Sequence, residues 1–385
     1  MLHHRGPLLL TLCTALQALP AAARTAQDYF SQVGDAMGVL QRWYDYDTGL
    51  WNTTGWWNSA NLVTMLADAT IADSTFDNTT SEIFTNTFEK AQETNLEENR
   101  IDMVRRCVAP NCPGNAPVVV RPRGFINGFF DDEGWWALAW IRVYDLTGQQ
   151  QWLDAASFIF NDMLSTGYNA TCGGIWWDRD HTQNAAIANE LFLSVAAHLA
   201  NRKPNGDFYR GWAVRQWDWF RNSGLINGAG NINDGLNLDT CRNNNGTVWT
   251  YNQGVILGGL VELAAATGDD SHITTATSIA SAAIDTLADD NGIIHDKYED
   301  HADWEDGHTF KGVFVRNLAA LHAATGDAGF SDFLTANADS VWDVARDRGT
   351  GEIGPVWSLG GGVKSAGTQG SGLDALVAAG AVSSG

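Results

Sequence analysis

Four segments of this chain are apolar nearly all round and equal in length. They are "DEGWWALAWIRVYDLTG" (132–148), "ELFLSVAAHLANRKPNG" (190–206), "NQGVILGGLVELAAATG" (252–268) and "FKGVFVRNLAALHAATG" (310–326). A helix with so few charges on its circumference is buried on most sides. Each segment closes on glycine, and the closing glycines stand 58, 62 and 58 residues apart. Glycine at that position predicts a left-handed helix C-cap and a turn. Three segments carry a further glycine in third place, Gly134, Gly254 and Gly312.

After each turn the pattern becomes amphipathic, as in "QQWLDAASFIFNDML" and "DFYRGWAVRQWDWFRN". A short glycine-containing loop follows each time: "GGIWWD", "GLING", "GIIHD" and "GEIGPVW". The unit is therefore a buried helix, a turn, an outer helix and a loop in about 60 residues, a period typical of repeat architectures. The same grammar places a buried helix at "WWNSANLVTMLADAT" and another at "GSGLDALVAAGAV", with outer helices at "TAQDYFSQVGDAMGVLQRWYD" and "TSEIFTNTFEKAQET". Six buried and six outer helices predict an all-α fold, an (α/α)6 barrel of six helical hairpins. An open solenoid is the alternative. No composition break or Pro/Ser linker divides the chain, so residues 24–385 are expected to form a single domain.

The first stretch, "MLHHRGPLLLTLCTALQALPAAAR", has a basic start, an apolar run and small residues before position 24. It predicts a secretory signal peptide over residues 1–23 and a secreted, extracellular protein. No other segment is apolar enough to serve as a membrane anchor. Cys13 would leave with the signal, so Cys107, Cys112, Cys172 and Cys241 remain. An even number in an exported chain points to two disulfides. The short "CVAPNC" loop suggests Cys107–Cys112 and leaves Cys172–Cys241. Asn52, Asn78, Asn169 and Asn245 begin N-x-[ST] sequons, expected as glycosylation sites in a eukaryotic host. The net charge of −22 and the lack of a Lys/Arg cluster argue against nucleic acid as a partner. A neutral substrate fits better, and 17 tryptophans supply flat surfaces for one. A monomer is expected.

Parallel inner helices would bring their N-terminal ends to one mouth, where a pocket should form. The register aligns Asp131 with Asn189, Tyr251 and Thr309, and Asp132 with Glu190, Asn252 and Phe310. Gln253 follows Asn252, and the first inner helix adds Trp57 and Asn61. Amides and carboxylates hydrogen-bond hydroxyl groups, and aromatic rings stack on sugar C–H faces. The expected substrate-binding set is therefore Trp57, Asn61, Asn189, Tyr251, Asn252, Gln253 and Phe310. The adjacent Asp131 and Asp132 have a bland reading, since acids favour a helix first turn. Yet only this repeat carries two acids at the equivalent places. Paired carboxylates are what glycosidic cleavage requires, one to protonate the leaving oxygen and one to attack or to activate water.

The histidines and acids crowded into 295–308 fail the EF-hand spacing, with Phe314 where a closing glutamate belongs. They are read as a solvated acidic loop, and neither a metal nor another cofactor is expected.

Over nearly its whole mature length the chain resembles glycoside hydrolase family 76, the α-1,6-mannanases. "FFDDEGWWALAW" is similar to that family's adjacent-aspartate signature, and "NAAIANELFL", "NINDGL", "WTYNQGV" and "FKGVFVRNL" follow in the family's order. The resemblance implies the same (α/α)6 barrel, Asp131 as nucleophile, Asp132 as general acid/base, and retention of configuration. It also implies that Asp234, in "NINDGL", contacts the sugar. The expected activity is endo-cleavage of α-1,6-mannan, or of another mannose-containing glycan. The alternatives are a cell-wall glycan transglycosylase and a catalytically silent carbohydrate-binding barrel.

Overall fold

A computed structural model describes residues 23–94, 124–301 and 306–384. The helices are α1 (Ala26–Leu40), α2 (Trp56–Ala72), α3 (Asp77–Thr94), α4 (Phe130–Thr147), α5 (Gln150–Asp162) and α6 (Ala186–Arg202), then α7 (Gly206–Asn222), α8 (Thr250–Thr267), α9 (Ser271–Leu287), α10 (Phe310–Thr325), α11 (Ala328–Ser340) and α12 (Ala366–Val382). The inner helices α2, α4, α6, α8, α10 and α12 each pack on the next, and α12 closes the ring against α2. The outer helices pack outside them. The first helix, α1, covers α12, so the two ends of the described chain together form the sixth hairpin. The fold is thus the closed (α/α)6 barrel, not the open solenoid. The all-α description holds apart from short strands, of which Asn184–Ala185, Gly235–Asn237 and Arg242–Asn243 form a three-stranded sheet. No helix among the described residues is long and apolar enough to cross a membrane.

The closing glycines do the job expected of them, with one exception. Gly148, Gly268 and Gly326 are left-handed C-caps with φ of 66°, 72° and 67°. Gly206 is not a cap. Helix α6 stops at Arg202, Lys203 leaves it in extended conformation, and Gly206 begins α7. The third-place glycines let inner helices approach closely. A Cβ on Gly134 would lie 2.8 Å from Leu191 Cβ, and one on Gly254 would lie 2.7 Å from Phe314 Cα.

A second repeat lies in the loops after the outer helices. Each contains a small β-bridge whose later member is a buried isoleucine: Ile175, Ile232, Ile294 and Ile353. Each isoleucine N–H donates to a buried side-chain amide oxygen: Asn189 at 2.9 Å, Gln253 at 2.8 Å, Asn337 at 3.0 Å and Gln369 at 2.9 Å. A buried backbone donor left unpaired would cost about 1–3 kcal/mol, so these amides fix the loops at the barrel mouth. Asn189 and Gln253 therefore serve the scaffold. Their amide nitrogens are also engaged, that of Asn189 by Asn184 and Ala185 and that of Gln253 by Ile232 and Trp249 carbonyls.

Cys172 and Cys241 are joined, tying the loop after α5 to the small sheet across 69 residues. Cys107 and Cys112 lie outside the described residues. Asn52, Asn78, Asn169 and Asn245 are all exposed. Residues 302–305 lie outside the described residues, and the described part of 295–308 differs from the solvated loop expected. Asp296 and Glu299 are buried. Asp296 accepts from the Thr250 backbone N–H at 2.9 Å, and Glu299 meets His295 at 2.5 Å and pairs with Lys311.

Candidate active site

A cavity of about 470 Å³ opens at the mouth formed by the inner-helix N-termini. The second residues of four inner helices line it: Trp57 of α2, Asp131 of α4, Ile187 of α6 and Tyr251 of α8. Ile187, not Asn189, is thus the counterpart of Asp131. The early end of α6 shifted the sequence register there by two positions.

Four carboxylates face this space: Asp131, Asp132, Asp234 and Asp306. No Lys, Arg or His lines it among the described residues. A neutral side chain donates to each of the four acids. Trp177 Nε1 donates to Asp131 Oδ2 at 2.8 Å, and Asn127 Nδ2 to Asp132 Oδ2 at 2.6 Å. Trp249 Nε1 donates to Asp234 Oδ1 at 3.0 Å, and Trp57 Nε1 to Asp306 Oδ1 at 3.0 Å. Asp131 Oδ1 is buried and has no hydrogen-bond partner among the described residues.

Charges of one sign gather here because helix N-termini converge on the mouth. Asp131, Asp132 and Glu133 occupy the first turn of α4, where the positive end of the helix dipole favours anions. Burial nevertheless pushes Asp131 up to about 7, against the pull of the Trp177 N–H and backbone N–H groups, and the Asp306 charge adds to the rise. Asp234 is also raised by burial, opposed by Trp249. Burial raises Tyr251 strongly, and the surrounding acids push it the same way.

Glu133 turns away from the cavity. It pairs with Arg179 and accepts the Asn127 backbone N–H at 3.2 Å. Arg179 also bonds Asp162 at 2.6 Å and the Asn127 carbonyl at 2.6 Å. This clamp fixes the turn from which Asn127 reaches Asp132.

One wall of the cavity is aromatic. Tyr251 and Phe310 stack at 3.9 Å with ring planes 3° apart. Trp57 stacks on Trp135 at 5.7 Å and lies 6.2 Å from Phe310. Such faces suit the C–H surface of a sugar, while the carboxylates accept its hydroxyls.

Of the residues named from sequence, Asp131, Asp132, Trp57, Asp234, Tyr251 and Phe310 all line the cavity. Four do not. Asn189 and Gln253 hold backbone, as above. Asn61 accepts from Arg316 below the cavity and donates to the Trp57 carbonyl. Asn252 is fully buried within the helix packing. Sequence reasoning missed Asp306, which opens a short 3-10 helix, and Trp177, Trp249 and Phe129 on loops, all outside the helical repeat. The tryptophan-rich loop "GGIWWD" was the available signal for Trp177, since indole N–H groups seek acceptors when buried.

Comparison with known proteins adds the following. Residues 118–382 match the model of glycosyl hydrolase family 76. The mannan endo-1,6-α-mannosidase DFG5 of Saccharomyces cerevisiae is 28% identical over 205 residues, 49% of this chain and 44% of that protein. The chain thus matches less than half the length of that curated relative. An inactive variant of an α-1,6-mannanase from Salegentibacter sp., in complex with α-1,6-mannotetrose, has a TM-score of 0.76 at 20% identity, covering 92% of this chain and 99% of that one. Its two substitutions replace consecutive aspartates. Dfg5 from Chaetomium thermophilum, in complex with glucosamine, has a TM-score of 0.72 at 18% identity, covering 94% and 92%.

Proposed function

Because the chain belongs to glycosyl hydrolase family 76, we propose that it is a retaining endo-α-1,6-mannanase that acts on mannan outside the cell. The observation that carries this reading is the pair Asp131 and Asp132, side by side in a sugar-sized cavity with an aromatic wall. The Salegentibacter mannanase that was inactivated at two consecutive aspartates supports the same pair.

Asp131, as nucleophile, attacks the anomeric carbon. Asp132 donates its proton to the departing glycosidic oxygen. The mannosyl–Asp131 ester then reacts with water as Asp132 takes the water's proton, which restores both carboxyl groups. Two displacements at one carbon give retention. Trp57, Tyr251 and Phe310 supply stacking faces, and Asp234 accepts sugar hydroxyls. Export follows from the leader read over 1–23, and residues 24 onward form one catalytic domain. The Cys172–Cys241 bridge and the four exposed sequons support an exported, glycosylated protein.

The test is incubation with linear α-1,6-mannan. Release of short oligosaccharides is the expected result. Longer, re-joined products would identify a transglycosylase, and binding without any change in chain length would identify a silent carbohydrate-binding barrel.

A further inference from the structure

Both aspartates take a hydrogen bond from side chains carried on one small piece of backbone. Phe129 and Asp178 form an antiparallel bridge, closed by Phe130 N–H to the Trp177 carbonyl at 2.9 Å and by Arg179 N–H to the Gly128 carbonyl at 2.9 Å. Asn127 lies just before this bridge on one strand, and Trp177 lies beside it on the other. Trp177 is further fixed by ring contact with Phe129 at 4.9 Å and by its backbone N–H, which donates to the Gln183 carbonyl at 3.0 Å. The Arg179 side chain, clamped to Glu133, Asp162 and the Asn127 carbonyl, locks the two strands together.

We propose that Trp177 is a positioning residue for Asp131: its indole N–H fixes Oδ2, and with it the orientation of the carboxyl group, and favours the ionised carboxylate. This inference rests on the assignment of Asp131 as nucleophile. The geometry supports it in three ways. The indole nitrogen can only donate, so the bond is strongest to an anionic oxygen. Trp177 lines the cavity, and its bond occupies one carboxylate oxygen while the other stays unengaged. Among the described residues, no Lys, Arg or His lines the cavity. The titratable groups around Asp131 are Asp132 on its own helix, Asp306 ahead of α10, Tyr251 on α8 and Asp234 ahead of α8, with Glu190 of α6 fully buried nearby. All are acidic. Arg179, next but one to Trp177, is spent on Glu133 and Asp162. The indole donor therefore opposes the effect of burial at Asp131.

The experiment compares the wild type, Trp177→Phe and Asp131→Asn on linear α-1,6-mannan across pH. In Trp177→Phe, kcat should fall about 10–100-fold, the range expected for one hydrogen bond to a charged group. KM should stay nearly unchanged. The acid limb of kcat/KM should move to higher pH by on the order of one unit, because the donor that favours the anion is gone. A merely structural role would lower the amount of active enzyme without moving that limb. An acid limb that stays in place, or a loss confined to KM, overturns the proposal. If Trp177→Phe does not fold, the same readings are taken on Trp177→β-(3-benzothienyl)alanine, which keeps the indole shape and lacks the N–H. The parallel variant separates two failures. Persistent activity in Asp131→Asn would refute the nucleophile assignment itself. An inactive Asp131→Asn beside an unshifted Trp177→Phe refutes only the role of Trp177.

Discussion

The two mouths of the barrel hold cavities of about 470 and 390 Å³, with the Trp135 ring lining both. Both are edged with carboxylates, and the carboxylates are held in opposite ways. At the C-terminal mouth they meet cations: Arg142 pairs with Asp68, Arg202 bonds Asp145 at 2.6 Å and Glu262 at 2.9 Å, and His198 lies 3.5 Å from Glu262. Burial raises Glu262, but His198 and Arg202 overcome it and bring the carboxyl down to about 2. At the N-terminal mouth three indoles and an amide donate to the carboxylates, and burial raises Asp131 to about 7. Asp374 is the exception at the lower cavity, since burial takes it to about 7 despite Arg316 at 3.3 Å. The helix dipoles explain why each arrangement sits where it does. Helix N-termini favour anions such as Asp131, and helix C-termini favour cations such as Arg202. The lesson is that a carboxylate neutralised by arginine is committed to structure. Asp131, held by a neutral donor, is instead raised to about 7 by burial.

Substitutions at the two mouths should therefore separate activity from stability. Asp131→Asn and Asp132→Asn should each lower kcat by at least ~10³-fold, in line with loss of a nucleophile or of general acid–base assistance. The melting temperature should hold or rise, because a buried acid is removed. Near-normal turnover in either variant would remove that residue from the chemistry.

At the other mouth, Arg202→Met leaves Asp145 and Glu262 without their shared partner. It should cost about 3 kcal/mol of stability in denaturant titration, with kcat unchanged where the variant is folded. The wild-type pair also has a pH signature. The folded value of Glu262 lies below its free value of 4.5, so its contribution is complete above that pH. It should be lost as pH falls toward about 2. A variant that unfolds at the same denaturant concentration as the wild type would mean that the arginine ladder carries no stability.

A subtler reading comes from the sign of the pH–rate profile. A nucleophilic Asp131 works as the anion, so kcat/KM should rise with pH through about 7. Were Asp131 the general acid, activity would fall with rising pH through the same value, and the two aspartates would exchange roles.

The same comparison shows what was legible in the sequence. The barrel was, because burial and helix capping are local: Gly148, Gly268 and Gly326 mark helix ends by a conformation that glycine adopts easily. The adjacent aspartates were legible too, as a departure from an otherwise regular repeat. Gly206 misled because α6 ends without a glycine cap, and the shift put Asn189 where Ile187 stands. Asn189 and Gln253 were read as sugar contacts since amides suit hydroxyls equally well. Their true acceptors and donors are backbone groups 14 and 21 residues upstream, which no helical period reveals. Asp306, Trp177 and Trp249 escaped for the same reason, since they come from connecting segments that only the closed ring brings together.

The central claim is that Asp131 and Asp132 cleave α-1,6-mannan by two displacements, and the first-formed product tests it most directly. Purified protein is mixed with linear α-1,6-mannan, and the new reducing ends are followed by proton NMR before mutarotation. New α-anomeric ends on short oligosaccharides are the expected result. Initial β-anomers would contradict the account, showing a single inverting displacement and recasting Asp131 as a general base.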